Sequence, residues 1–135
     1  MKPQAELGGE LADTQGNTKS KTFTSQDKYV GETASAIEAQ FPGRVEAVNE
    51  KLYDYKGIEL TEIDIVLDNT AIQVKSEGAR GLVAQMQLTK AHSNKIVIGY
   101  APDLRPNHPM IQAAKNEGFR VFTTEKSLLK YLDKN

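Results

Sequence analysis

Residues 62–75 read EIDIVLDNTAIQVK. Two alternating runs, Glu62–Leu67 and Thr70–Lys75, flank Asp68-Asn69, which predicts a hairpin with a two-residue loop. The loop sets the register. Leu67 opposes Thr70, Val66 opposes Ala71, Ile65 opposes Ile72, Asp64 opposes Gln73 and Glu62 opposes Lys75. Ile63, Ile65 and Leu67 then share one face with Ile72 and Val74. Glu62, Asp64, Gln73 and Lys75 share the other, which this register points away from the core. Directly opposed Cβ atoms lie about 4.5–5.5 Å apart. Asp64, Gln73 and Lys75 are therefore expected to converge within one side-chain length.

Outward from the hairpin the pattern alternates between periods. Asp27 to about Gln40 is predicted as a helix with Val30, Ala34, Ile37 and Phe41 on one stripe, ended by Pro42-Gly43. Val45 to Tyr55 is a strand closed by the Gly57 turn. After Gly78, Ala79 to about His92 is a helix with Leu82, Val83 and Met86 inward. Lys95–Tyr100 is a buried strand, and 101–109, with three prolines, is a loop. Met110–Glu117 is a helix closed by Gly118, Phe119–Phe122 a short strand, and Glu125–Leu132 a last helix. The order α-β-β-β-α-β-α-β-α predicts an α/β sandwich with a mixed sheet. Residues 1–26 are rich in Gly, Thr, Ser, Lys and Gln, and are expected to form a flexible linker or arm, with the folded domain at 27–135.

Composition narrows the chemistry. The chain has 135 residues, 26% of them charged, a net charge of −1 and no cysteine. One domain is the prior at this length. The lack of cysteine excludes disulfides, thiolate zinc sites and thiol catalysis. No apolar run approaches the roughly 20 residues that span a bilayer, so no stable membrane association is expected. Met1–Asp13 has no apolar signal-peptide region. The charge is uneven. Residues 1–70 hold 7 Lys/Arg and 13 Asp/Glu, and residues 71–135 hold 10 and 5. The basic half is suited to phosphate. There is no Gly-rich nucleotide loop, G-x-S-x-G elbow or zinc-finger spacing.

The predicted convergence suits metal-assisted phosphodiester cleavage. Asp64 can hold a hard divalent cation, which prefers oxygen ligands, and the carbonyls of the Gln73 side chain and the Val74 backbone can add to the set. Lys75 can position or help deprotonate water, or offset charge in the transition state. Glu62 is expected to be structural or auxiliary, opposite Lys75. Ser76, Gly78 and Arg80 frame the next helix and could receive a phosphate at its N–H groups. Gln85, Gln87 and Lys90 are candidate contacts to the scissile strand, with an exposed helix face as the alternative. Lys95 and Arg105 either meet phosphate or solvate the surface. His92 and His108 match no metal motif and are read as surface residues. Tyr53, Tyr55 and Tyr100 are read as packing residues, with base stacking as the alternative.

An acid on one strand, then a carboxylate or Gln, a spacer and a Lys on the next resembles the signature of the PD-(D/E)xK nuclease superfamily. Here it reads Asp64, then Gln73-Val74-Lys75. The superfamily often adds a Glu on the preceding helix, and VGETASAIEAQF nominates Glu32. Together VGETASAIEAQFPG, EIDIV, IQVKSEGARGL and IGYAPDLRP resemble the C-terminal toxin domains of contact-dependent growth inhibition proteins, over about Val30 to Leu132. The resemblance implies a restriction-endonuclease-like fold and a toxin nuclease carried by a large secreted or cell-surface exoprotein. It also implies action in the cytoplasm of a neighbouring bacterium and neutralisation by a cognate immunity protein. The implied site is Asp64, Glu32 and Gln73 around Mg²⁺, or Mn²⁺ or Zn²⁺, with Lys75 assisting the nucleophile. The implied reaction is hydrolysis of RNA, tRNA first. Alternatives are a DNase on the same scaffold, a metal-independent RNase, and a non-catalytic nucleic-acid or protein-binding module. Gln73 stands where an acid is commoner, which implies weaker metal binding, and Gln73→Glu is expected to keep or raise activity.

Overall fold

The computed structural model describes residues 23–135. Within them the chain forms α1 (Lys28–Gln40), β1 (Val45–Tyr53), β2 (Glu59–Leu67), β3 (Thr70–Val74), α2 (Leu82–His92), β4 (Ile96–Tyr100), α3 (Pro109–Asn116), β5 (Arg120–Phe122) and α4 (Glu125–Lys134). The predicted order of elements holds. Asp27 caps α1 by accepting the Tyr29 N–H, His108 Nδ1 accepts the Met110 N–H at the start of α3, and Thr124 caps α4. Each is a polar side chain meeting an otherwise unpaired N–H of the first turn. Most of the expected arm, residues 1–22, lies outside the described residues. Phe23–Gln26 belongs with the domain. Phe23 packs on the core and exchanges hydrogen bonds with Ser35 through its N–H (3.0 Å) and carbonyl (3.2 Å).

The five strands form one mixed sheet in the order β1-β2-β3-β4-β5. The first three are antiparallel, and β4 and β5 run parallel to β3. Ile65↔Ile72 and Val66↔Ala71 pair as the two-residue loop requires. Parallel strands joined through helices need cover on both faces, and here both are covered. On one face α1 and α4 bury Ile65, Leu67, Ile72, Val74 and Ile98 beneath Val30, Ile37, Leu128 and Leu132. On the other, α2 and α3 pack Leu82, Met86 and Ala114 over Val66, Ala71 and Val97. The hairpin face expected to point away from the core is therefore interior too, and it carries its own apolar layer.

Ile63 also departs from expectation. It packs with Val66 and Leu82, not with Ile65 and Leu67. The alternation breaks at Asp64. Across β1, Asn49 sits between the partners of Ile63 and Ile65 with φ 53°, in the left-handed region that few non-glycine residues adopt. The start of the next helix is shifted as well. Residues 77–79 form one 3₁₀ turn, Gly78 and Gly81 have φ near 80°, and α2 begins only at Leu82. A right-handed helix cannot run through left-handed residues.

Lys95, a candidate phosphate contact, instead donates to the carbonyls of Leu67 (2.7 Å) and Asp68 (2.9 Å). It therefore ties down the hairpin loop. Among the described residues no helix is long and apolar enough to cross a membrane.

Helix α2 lies tight on the sheet at Gly99. A Cβ there would stand 3.0 Å from Met86 Sδ, 3.2 Å from Val121 Cγ2 and 3.3 Å from Leu82 Cδ2. Gly99→Ala is expected to cost about 1–3 kcal/mol by overpacking, read as a lower urea midpoint with an unchanged slope.

Candidate functional site

The β2–β3 ladder stops at Ile65↔Ile72, and side chains carry the pairing onward. The Val74 N–H donates to Asp64 Oδ2 (2.8 Å), and the Asp64 N–H donates to Gln73 Oε1 (3.2 Å). Asp64 is 9% exposed and Gln73 0%. The Gln73 amide is fully committed. Its Nε2 donates to the Glu62 carbonyl (3.0 Å) and to Thr89 Oγ1 (2.6 Å). Its Oε1 accepts from the Asp64 N–H and from Gln85 Nε2 (2.9 Å). That uses both donors and both lone pairs. Gln85 Nε2 also donates to the Glu62 carbonyl (3.2 Å), and Thr89 Oγ1 donates to the Gln85 carbonyl (2.8 Å). The network binds β2, β3 and α2 together behind Asp64. Ligation of a cation by Gln73 would require breaking one of these bonds, so its place here is as the post that holds Asp64 against β3.

In front of Asp64 opens a polar cleft of about 630 Å³. Asp64, Lys75, Ser76, Arg80 and Gln85 line it, together with Asp27, Glu62 and Glu77. Burial pushes the Asp64 carboxyl up from 3.8 to about 6. The Val74 N–H opposes that rise, the negative charges of Glu62 and Asp27 add to it, and Lys75 offsets part of it. An acid held against two others in a poorly solvated cleft is a group whose ionised form calls for a cation.

Other expected residues stand elsewhere. Glu32 lies on the exposed side of α1, with its side chain 58% exposed, and pairs with Lys28 at 3.9 Å. It is absent from the cleft wall. Asp27, five residues earlier at the N-cap, occupies that wall instead. Glu62 pairs with Lys51 across the β1–β2 ladder; the β2–β3 ladder does not extend to a Glu62–Lys75 pair, although both residues line the cleft. Gln87 donates to Glu117 Oε1 (2.8 Å), bridging α2 to α3, and Lys90 sits 5.7 Å over the Phe119 ring. Neither lines the cleft. The Glu77 N–H at the 3₁₀ turn, part of the expected phosphate seat, is taken by Asp103 Oδ2 (2.6 Å).

Sequence reasoning missed Asp27. It reads as an ordinary N-cap, and its Oδ1 does serve as one, accepting the Tyr29 N–H at 2.9 Å. Its place beside Asp64 comes from a strap. Ser25 Oγ accepts the Asp27 N–H (3.2 Å) and donates to Asn49 Oδ1 (2.8 Å). An adjoining recess of about 350 Å³ is lined by Ser25, Asn49, Asp27, Glu62 and Asp64.

The cleft is lined by oxygen donors of the type that hard divalent cations prefer. Four carboxylates, Asp64, Glu62, Asp27 and Glu77, line one cleft, and Gln85 Oε1 is a buried oxygen with no hydrogen-bond partner among the described residues. Among the described residues no three acids or histidines close on one point as a complete metal site. A shift of Asp64 from 3.8 to about 6 makes cation binding compete with a proton. Stabilisation by Mg²⁺ is therefore expected to weaken as pH falls below about 6, read as the Mg²⁺-induced rise in melting temperature at pH 7 and pH 5.

No protein-family model, curated protein or solved structure matches this chain.

Proposed function

We propose that this domain is a cation-dependent nuclease toxin of the contact-dependent growth inhibition type. Its substrate is RNA, tRNA first, and a cognate immunity protein neutralises it. The observation that carries the reading is the meeting of Asp64 and Lys75 in one polar cleft with three further acids, Asp27, Glu62 and Glu77. The run α1-β1-β2-β3-α2-β4, with three antiparallel strands followed by a parallel fourth, supports a restriction-endonuclease-like core. In this reading the domain arrives on a secreted or cell-surface exoprotein and acts in the cytoplasm of the target cell.

Asp64 holds the cation, Mg²⁺ by preference and Mn²⁺ or Zn²⁺ as substitutes, with Asp27 or Glu62 as the second acid in place of Glu32. The bound cation supplies Lewis-acid stabilisation of charge on the phosphoryl group. Lys75 follows the end of β3, where its N–H donates to the Tyr100 carbonyl (3.0 Å). Its ammonium faces the same cleft, orients the attacking water and offsets negative charge as the phosphodiester opens. Arg80 and Ser76, farther along the wall, bind the flanking phosphate. Gln73 keeps the acid in place.

A binding module without catalysis is the reading that the committed Gln73 amide favours. One assay separates the two. Purified protein is incubated with total tRNA and with plasmid, in Mg²⁺ and in excess chelator. Cleavage of tRNA only with Mg²⁺ is the expected result, and Lys75→Met is expected to slow it by about 10²-fold or more. Cleavage of plasmid alone would make it a DNase. Cleavage that persists in chelator would make it a metal-independent RNase. No cleavage, with growth inhibition intact, would leave the binding module.

A further inference from the structure

We propose that the β5 edge of the sheet is a track for a single-stranded nucleic acid, separate from the cleft. β5 pairs only with β4, so its outer edge is open. Two grooves flank it. One, about 380 Å³, lies between β5 and α4 and is lined by Arg120, Lys130, Lys134, Phe122 and Tyr131. The other, about 460 Å³, lies toward α3 and adds Lys115 and Phe119. The three acids of this stretch, Glu117, Glu125 and Asp133, line neither groove. The four cations have no ion-pair partner among the described residues.

The aromatic floor is ordered. Arg120 stacks 5.5 Å over the Tyr131 ring, and the Phe122 and Tyr131 rings are 5.1 Å apart. Cations without ion-pair partners along two grooves at an open strand edge are what a flexible phosphodiester backbone requires, and the rings beneath them, Phe119 buried and Phe122 and Tyr131 packed on the core, shape the groove floor. A lipid surface fits less well. The apolar face of α4, Leu128 and Leu132, is wholly buried, so no apolar helix face is available to enter a bilayer. The opposite edge has the wrong sign. Glu46, Glu50, Asp54 and Glu59 outnumber Lys51 and Lys56 there. The choice of a nucleic acid as the ligand rests on the nuclease reading, while the shape and charge of the surface do not.

Fluorescence anisotropy in chelator, where cation-dependent cleavage is silent, tests the surface with an end-labelled oligouridine of about 12 nucleotides. The triple variant Lys115→Glu, Lys130→Glu, Lys134→Glu is expected to weaken binding by about tenfold or more and to lower the log–log salt slope by about 2. A control triple on the far side, Lys28→Glu, Lys51→Glu, Lys56→Glu, is expected to bind within about twofold of wild type. Equal losses in both triples, or no loss in the first, would overturn the proposal. So would binding to phosphatidylserine vesicles with none to the oligonucleotide. If tRNA and plasmid stay intact in Mg²⁺ while the first triple still loses binding, the nuclease falls and the track stands.

Discussion

Asp64→Asn is expected to lose cation-dependent cleavage by about 10³-fold or more and to be more stable than the wild type at neutral pH. Both effects come from one carboxylate. Asparagine keeps an oxygen to accept the Val74 N–H, so the strand junction survives. It removes a negative charge that burial, Glu62 and Asp27 all disfavour. The pH dependence follows from the sign of the shift. The folded-state carboxyl titrates at about 6 against an ordinary 3.8. Below about pH 4 both folded and unfolded chains hold the proton, and Asp64 has no effect on stability. Between 4 and 6 the folded chain keeps a proton that the unfolded chain has lost, so stability falls as pH rises. Above 6 the penalty is complete, at about 3 kcal/mol. Urea midpoints for wild type and Asp64→Asn should therefore coincide near pH 4 and separate toward pH 7, with the variant higher. Mg²⁺ should narrow the gap by stabilising only the wild type. A variant that cuts tRNA at the wild-type rate would remove Asp64 from the chemistry.

Gln73→Leu is expected to be the most damaging single change to the fold, at about 3–5 kcal/mol. It removes one partner each from the Asp64 N–H, the Glu62 carbonyl, Gln85 Nε2 and Thr89 Oγ1, and leaves the buried Asp64 N–H without its partner. Gln73→Glu is the sharper test. The strand signature alone led to the expectation that this change would keep or raise activity. The geometry reverses it. A glutamate would turn an oxygen toward the Glu62 carbonyl, where Nε2 now donates, and would add a buried charge next to Asp64. Such a charge must take a proton or loosen the junction. Gln73→Glu should therefore melt earlier than wild type, increasingly so above neutral pH, and cut more slowly. A glutamate variant as stable as the parent and more active would return Gln73 to the role of metal ligand.

Local chemistry made much of this legible. The Asp68-Asn69 loop set the pairing of Ile65 with Ile72, and the apolar stripe of 30, 34 and 37 marked α1 as a packed helix. Spacing along one hairpin brought Asp64, Gln73 and Lys75 to one place. It could not tell which of them faced solvent. The amide of Gln73 has the same letters whether it points into a cleft or into a network, and only the arrival of Thr89 and Gln85 from α2 decided the matter. Asp27 caps α1 and Glu32 lies five residues on, within the helix. Sequence periodicity fixes their angular separation, but the rotation of the helix on the sheet depends on packing from Phe23, Ser25 and Asn49.

The order of elements, the hairpin register and the identity of the two groups that meet in the cleft follow from local sequence. Those depend on neighbours within a few residues, whose period and turn chemistry are written into the chain. That both faces of the sheet are interior, that Asp64 is largely buried, and that Asp27 rather than Glu32 stands beside it emerge only from long-range packing. Burial and electric field are set by segments far apart in sequence, and they exist only once α1 and α2 have closed over the strands.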